Sequence, residues 1–64
     1  MNDVITMYRR MTVINRNSAR EWRELAKDAP PGLALLMLTY AEIDDMEAKA
    51  DELRASQLEK PEMN

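Results

Sequence analysis

The apolar residues of this chain recur with the period of a helix. With successive residues placed about 100° apart, Val4, Met7, Met11, Ile14, Trp22, Leu25 and Ala29 fall within about 40° of Ser18. The steps along this stripe are 3-4-3-4-4-3-4, and Ser18 is its only polar member. Such a stripe marks a helix with one buried face. A small polar residue at mid-seam would let a partner helix approach closely. A second stripe, Leu36, Thr39, Ile43, Met46, Ala50, Leu53 and Gln57, repeats the same steps of three and four. Around it, Leu33, Leu35, Met37, Leu38 and Tyr40 spread apolar surface over almost the whole circumference of the first turns.

Between the stripes stands the one strong interruption, Pro30-Pro31-Gly32. No Gly or Pro occurs in the 29 residues before it or in the 28 residues from Leu33 to Lys60. Asn2 or Asp3 can cap a first helix. Ala29 precedes a proline and is driven out of the α region. Pro30 or Pro31 can open a second helix, where a missing N–H costs little. The pattern predicts an all-α chain, a two-helix antiparallel hairpin in a single domain over 1–64. Its helices should run over about 3–28 and 33–59, with a turn at 29–32 and a frayed tail at 60–64. One local signal disagrees. Asn15-Arg16-Asn17-Ser18 is poor helix sequence, and Ser18-Ala19-Arg20-Glu21 matches a capping box, so a break into helices near 3–15 and 18–28 is the alternative.

A lone hairpin of 64 residues buries one stripe per helix, and chains of this size usually need a disulfide, a metal or a partner chain to be stable. With no cysteine and no histidine, the first two routes are closed. Self-association remains. A helix that is apolar all round has to be covered on all sides. Leu33, Leu35, Leu36, Met37, Leu38, Tyr40 and Ile43 are therefore the expected dimer interface, and two hairpins closing into a four-helix bundle homodimer is the simplest solution. The competing reading is that this surface binds a different protein.

Charge sharpens the picture. The formal net charge of -3 is the sum of two unlike halves. Residues 1–27 carry six basic and three acidic groups, and residues 28–64 carry three basic and nine acidic groups. On the same wheel Arg9, Arg16, Arg20, Arg23 and Lys27 form one stripe opposite the apolar seam, with no acidic residue within it. A solvated face or a neighbouring helix of opposite charge accounts for such a stripe. The functional reading is an anion-binding surface for an acidic patch on a partner protein, or for a phosphate backbone. Arginine favours planar, bidentate contacts. A sequence pI near 4.8 weighs against nucleic acid, because basic nucleic-acid domains usually lie above about 9. Trp22 reads as core; exposed, it would be a hot spot beside the arginines. Tyr40 joins it as a candidate partner contact. The six methionines suit flexible packing or an adaptable binding surface.

Catalytic chemistry has little to work with. Histidine bases and cysteine nucleophiles are absent, and no phosphate loop, Ser-His-Asp set or HExxH motif is present. Carboxylates such as Glu42, Asp44 and Asp45 are close enough in sequence to hold a hard cation, but no EF-hand loop surrounds them. The expectation is no enzyme, no cofactor, no metal and no small-molecule substrate. Asp3 and Arg9-Arg10 interrupt any signal-peptide core, and the longest apolar run, Leu33 to Leu38, is far short of the roughly 20 residues a membrane span needs. A cytoplasmic protein with no membrane partner is the default.

In size and layout the chain resembles the Rop-type RNA-binding hairpins, which dimerise into four-helix bundles. Its local echo is Ala50-Asp51-Glu52-Leu53, displaced by about one heptad. The resemblance implies a bundle-forming dimer and carries no site residue across. The functional expectation is a small non-enzymatic, protein-binding regulator or inhibitor, of the kind phages and mobile elements encode, that occludes its partner through Arg9, Arg16, Arg20, Arg23, Lys27, Trp22 and Tyr40. The alternatives are a Rop-like RNA- or DNA-binding dimer and a structural subunit of a larger assembly.

Overall fold

A computed structural model describes residues 2–60. The expected tail residues Pro61 to Asn64 lie outside the described residues. Two helices pack against each other as an antiparallel hairpin, α1 (Asn2–Ala26) and α2 (Pro31–Glu59). The molecule is a flat plank of 54 × 19 × 10 Å.

α1 runs unbroken through Asn15–Ser18. It closes by tightening. The amides of Lys27, Asp28 and Ala29 donate to the carbonyls of Glu24, Leu25 and Ala26, each at 3.3 Å. These three-residue steps use up carbonyls that would otherwise be left open at the helix end. Pro30 then holds extended backbone at φ -56 and ψ 151, and its carbonyl accepts the Ala34 amide at 2.8 Å. Pro31 stands at the first helical position, so α2 begins before Leu33. A proline there gives up no helical bond.

The face that joins the helices is not the apolar stripe predicted above. On α1 the joint runs through Ile5, Tyr8, Thr12, Asn15, Ala19, Trp22 and Ala26 and on to Ala29 just past the helix, all buried or half-buried, with Ser18 half-buried beside them. On α2 the joint includes Ala34, Met37, Ala41, Asp44, Ala48, Asp51, Ala55 and Leu58. Both sets step 3-4-3-4-3-4-3. On α1 this seam lies one residue, about 100°, beyond the predicted one. The predicted members Val4, Met7, Met11, Ile14 and Leu25 are all exposed; of that stripe only Trp22 and Ala29 stand in the joint. On α2 the predicted stripe is likewise not the joint: Leu36, Ile43, Met46 and Leu53 are exposed, and Ala50 is half-buried at the margin.

The reason lies in side-chain size. Ala19 and Ala26 on α1, and Ala41, Ala48 and Ala55 on α2, recur at intervals of seven and are all buried. Small residues at heptad spacing let two backbones approach closely, which larger side chains would prevent. Among the described residues no large side chain is fully buried. The joint is also partly polar. Thr12 is 6 % exposed, and its hydroxyl lies 3.0 Å from the Tyr8 carbonyl and 3.4 Å from that of Ala48. Asp51, equally buried, accepts from Arg54 at 2.8 Å and from Asn15 at 3.4 Å. The Arg54 guanidinium lies over the Tyr8 ring, 5.9 Å from its centre.

Candidate interaction surface

The residues that follow the seam on each helix define one broad side of the plank. Arg9, Arg16 and Arg23 come directly after Tyr8, Asn15 and Trp22; Asp45, Glu52 and Glu59 come directly after Asp44, Asp51 and Leu58. They meet as three ion pairs, Arg9–Glu59, Arg16–Glu52 and Arg23–Asp45. Their side chains are roughly half exposed, and such pairs contribute at most about 1 kcal/mol each. Their larger effect is on register, because a helix shifted along its axis would leave all three unmatched.

The residues that precede the seam define the opposite side. On α1 these are Val4, Met7, Met11, Ile14, Ser18, Glu21 and Leu25, followed past its end by Asp28; on α2 they are Leu33, Leu36, Tyr40 and Ile43, followed by Glu47, Ala50, Arg54 and Gln57. In an antiparallel pair the preceding flanks of both helices lie on one side, just as the ion pairs show for the following flanks. The large apolar members of this set are 40–65 % exposed, from Tyr40 and Met11 to Met7. The two helices thus share one largely apolar face, made by Val4 to Leu25 of α1 with Glu21 as an interruption and by Leu33 to Ile43 of α2. Exposed apolar surface on this scale is a mark of an interaction site.

Each predicted residue now has a place. Arg9, Arg16 and Arg23 are engaged by the acids of α2. Lys27 pairs within its own helix with Glu24 at 3.1 Å. Arg20 makes no ion pair among the described residues. Trp22 is half-buried in the joint, with its ring centre 5.1 Å from that of Tyr40 and the planes tilted by 50°. Tyr40 itself stands on the rim of the apolar face. Of the seven residues expected at the dimer interface, Leu33, Leu36, Tyr40 and Ile43 lie on that face. Met37 is in the joint, while Leu35 and Leu38 are exposed on the flank that carries the ion pairs.

The contribution of α1 to the face differs from the sequence expectation, in which periodicity alone places Val4, Met7, Met11, Ile14 and Leu25 in the seam within the hairpin. The signal for their real place was the matching heptads, Arg9-Arg16-Arg23 against Asp45-Glu52-Glu59 and alanines on both helices. Among the described residues no group of three or more carboxylates gathers as a metal site, and no helix is long and apolar enough to cross a membrane. Comparison with protein-family models, with curated proteins and with solved structures finds no match in any of the three.

Proposed function

We propose that the protein is a non-enzymatic interaction module whose working form is a homodimer, a four-helix bundle closed through the apolar faces of two hairpins, and that it regulates or inhibits another protein by occluding it. One observation carries this reading: large apolar side chains of both helices, Met7, Ile14, Leu25, Leu36 and Ile43 among them, share one exposed face while only small ones are buried between the helices. A second copy is the simplest cover for such a face. In that form the ion-paired side is turned outward. It is the surface left for a partner, with Arg20 and the half-exposed Arg16 and Arg23 at its centre.

A protein partner is favoured over nucleic acid because four of the five stripe cations already face carboxylates, three on α2 and one on α1. A phosphate backbone would meet a surface of alternating sign. Affinity capture from lysate, with and without nuclease, tests the reading. The expected result is a protein retained by the wild type after nuclease treatment and lost on Arg20→Glu, whose helicity is unchanged. Retention by Arg20→Glu would show that the outward side is only solvated surface. Capture that nuclease abolishes would favour the RNA- or DNA-binding alternative.

A further inference from the structure

Resting on the dimer reading above, we infer that the second copy lies across the first at about 50°, related by a two-fold axis that runs along an oblique apolar band on the face. The relative levels of the two helices define this band. The Thr12 hydroxyl meets the Ala48 carbonyl at 3.4 Å, the Trp22 and Tyr40 rings lie 5.1 Å apart, and Ala26 and Pro31 stand on either side of the turn. Asn17 is therefore level with about Ile43, and Ile14 with about Met46. On each helix the flank that bears the face is apolar first and polar afterwards. Val4, Met7, Met11 and Ile14 give way to Ser18, Glu21 and, past the helix end, Asp28. Leu33, Leu36, Tyr40 and Ile43 give way to Glu47 and Arg54. Leu25 and Ala50 are the apolar exceptions. Because the helices run in opposite directions, the two apolar stretches occupy opposite corners of the face and meet at Ile14 and Ile43. Charge occupies the other two corners.

The midpoints of the stretches, level with Arg9 on α1 and Leu38 on α2, lie about 20 Å apart along the hairpin and about 9 Å apart across it, which inclines the band by about 25°. Two such faces laid square on each other mismatch. With both turns at one end, Ile14 meets Glu47 and Met7 meets Arg54. With the turns at opposite ends, Met11 meets Glu21 and Leu36 meets Arg54. Either way apolar side chains are buried against charge. Rotation about the band itself lays apolar on apolar along its length and leaves the charged corners outside. The hairpins then cross at twice the inclination, about 50°. Viewed onto the face with the turn uppermost, right-handed helices with these flanks outward put α1 on the left. The band therefore leans to the right, and the crossing takes the hand of the commonest helix packing, about −50°. A two-fold axis square to the band, in the plane of the face, would also lay band on band. Ser18 and Glu47, which flank the waist on either side of the band, decide between the two. Rotation about the band brings Glu47 of each copy over the small Ser18 of the other, whereas the square axis sets Glu47 on Glu47.

Single cysteines test the axis, since the chain has none of its own. Met7 and Leu36 stand about 26 Å apart along the hairpin, one in each apolar stretch. Both lie close to the midline of the band, so in the crossed dimer each faces its own counterpart. Met7→Cys and Leu36→Cys should each form an intermolecular disulfide on mild oxidation. Leu25→Cys, in a charged corner at the level of Leu36, should not. Neither square arrangement nor the axis square to the band brings both Met7 and Leu36 to their counterparts. Cross-linking at only one of them or at neither, in a protein that sediments as a dimer, would overturn the inference, and so would cross-linking at Leu25→Cys. Charge substitution reads the same geometry without oxidation. Leu36→Glu should weaken dimerisation by about tenfold or more, and Leu25→Glu by less than about threefold. Equal losses would overturn the inference. A wild type that sediments as a monomer would defeat the dimer reading itself, whereas a dimer with another cross-linking pattern would defeat only the arrangement.

Discussion

At the scale of single residues, the hairpin depends on a few small or polar side chains. Asp51 is the most exacting of them. A carboxylate this buried has to be hydrogen-bonded, and Arg54 and Asn15, one on each helix, supply the donors. The pair Asn15 and Asp51 therefore marks one register among the several that alanine heptads alone would permit. Nothing in helix periodicity pointed to this role, because Asn15 reads as a helix-weakening residue and Asp51 as one acid among many. Gly32 is the opposite case. It lies in the first turn of α2 without positive φ, and the space around it is open. Alanine fits there and restricts the unfolded chain, so Gly32→Ala should raise stability by about 0.5 kcal/mol. A thermal melt at fixed protein concentration checks it, and a lower midpoint would mean the turn needs glycine.

At the scale of elements, the helices and their junction were legible in the sequence, and the face by which they join was not. Helix periodicity and Pro30-Pro31-Gly32 placed two helices and a turn. The ambiguity at Asn15–Ser18 resolved to continuous helix because the flanking residues are held on α2: Thr12 and Asn15 by hydrogen bonds, Arg16 by an ion pair. A helical wheel ranks faces by hydrophobicity, so it selected the stripe from Val4 to Leu25. The hairpin instead joins through alanines, whose advantage is closeness and not apolar bulk. Close approach makes the joint sensitive to volume. Ala48 is 1 % exposed and faces α1. Ala48→Leu should cost about 1–3 kcal/mol through overpacking, read as a lower denaturation midpoint, while Ala50→Leu at the margin should cost less. Equal effects at the two positions would contradict the close-packed joint.

For the whole molecule, the two sides of the plank divide the work. One side locks the register with ion pairs between unlike helices. The other gathers most of the exposed large apolar residues of both, and its exposure accounts for how so small a chain, with no disulfide, would be stabilised by pairing. The candidate site was correspondingly half legible. Leu33, Leu36, Tyr40 and Ile43 were identified from the excess of apolar residues after the turn. Periodicity assigns their counterparts on α1 to the hairpin joint, because the angular offset between helix faces is set by contacts across the pair and cannot be read from either helix alone. A neighbouring helix of opposite charge is one of the readings the arginine stripe allows, and Arg9, Arg16 and Arg23 do face acids of α2.

Sedimentation equilibrium of the wild type beside Ile14→Glu tests that account most directly. Ile14 is 56 % exposed in the hairpin, so a charge there leaves the joint between α1 and α2 untouched. The prediction is a wild-type mass twice the 7.4 kDa of the chain, with Ile14→Glu shifted to monomer and losing helix as it dissociates. A wild type that remains helical and melts cooperatively as a single 7.4 kDa species would contradict it.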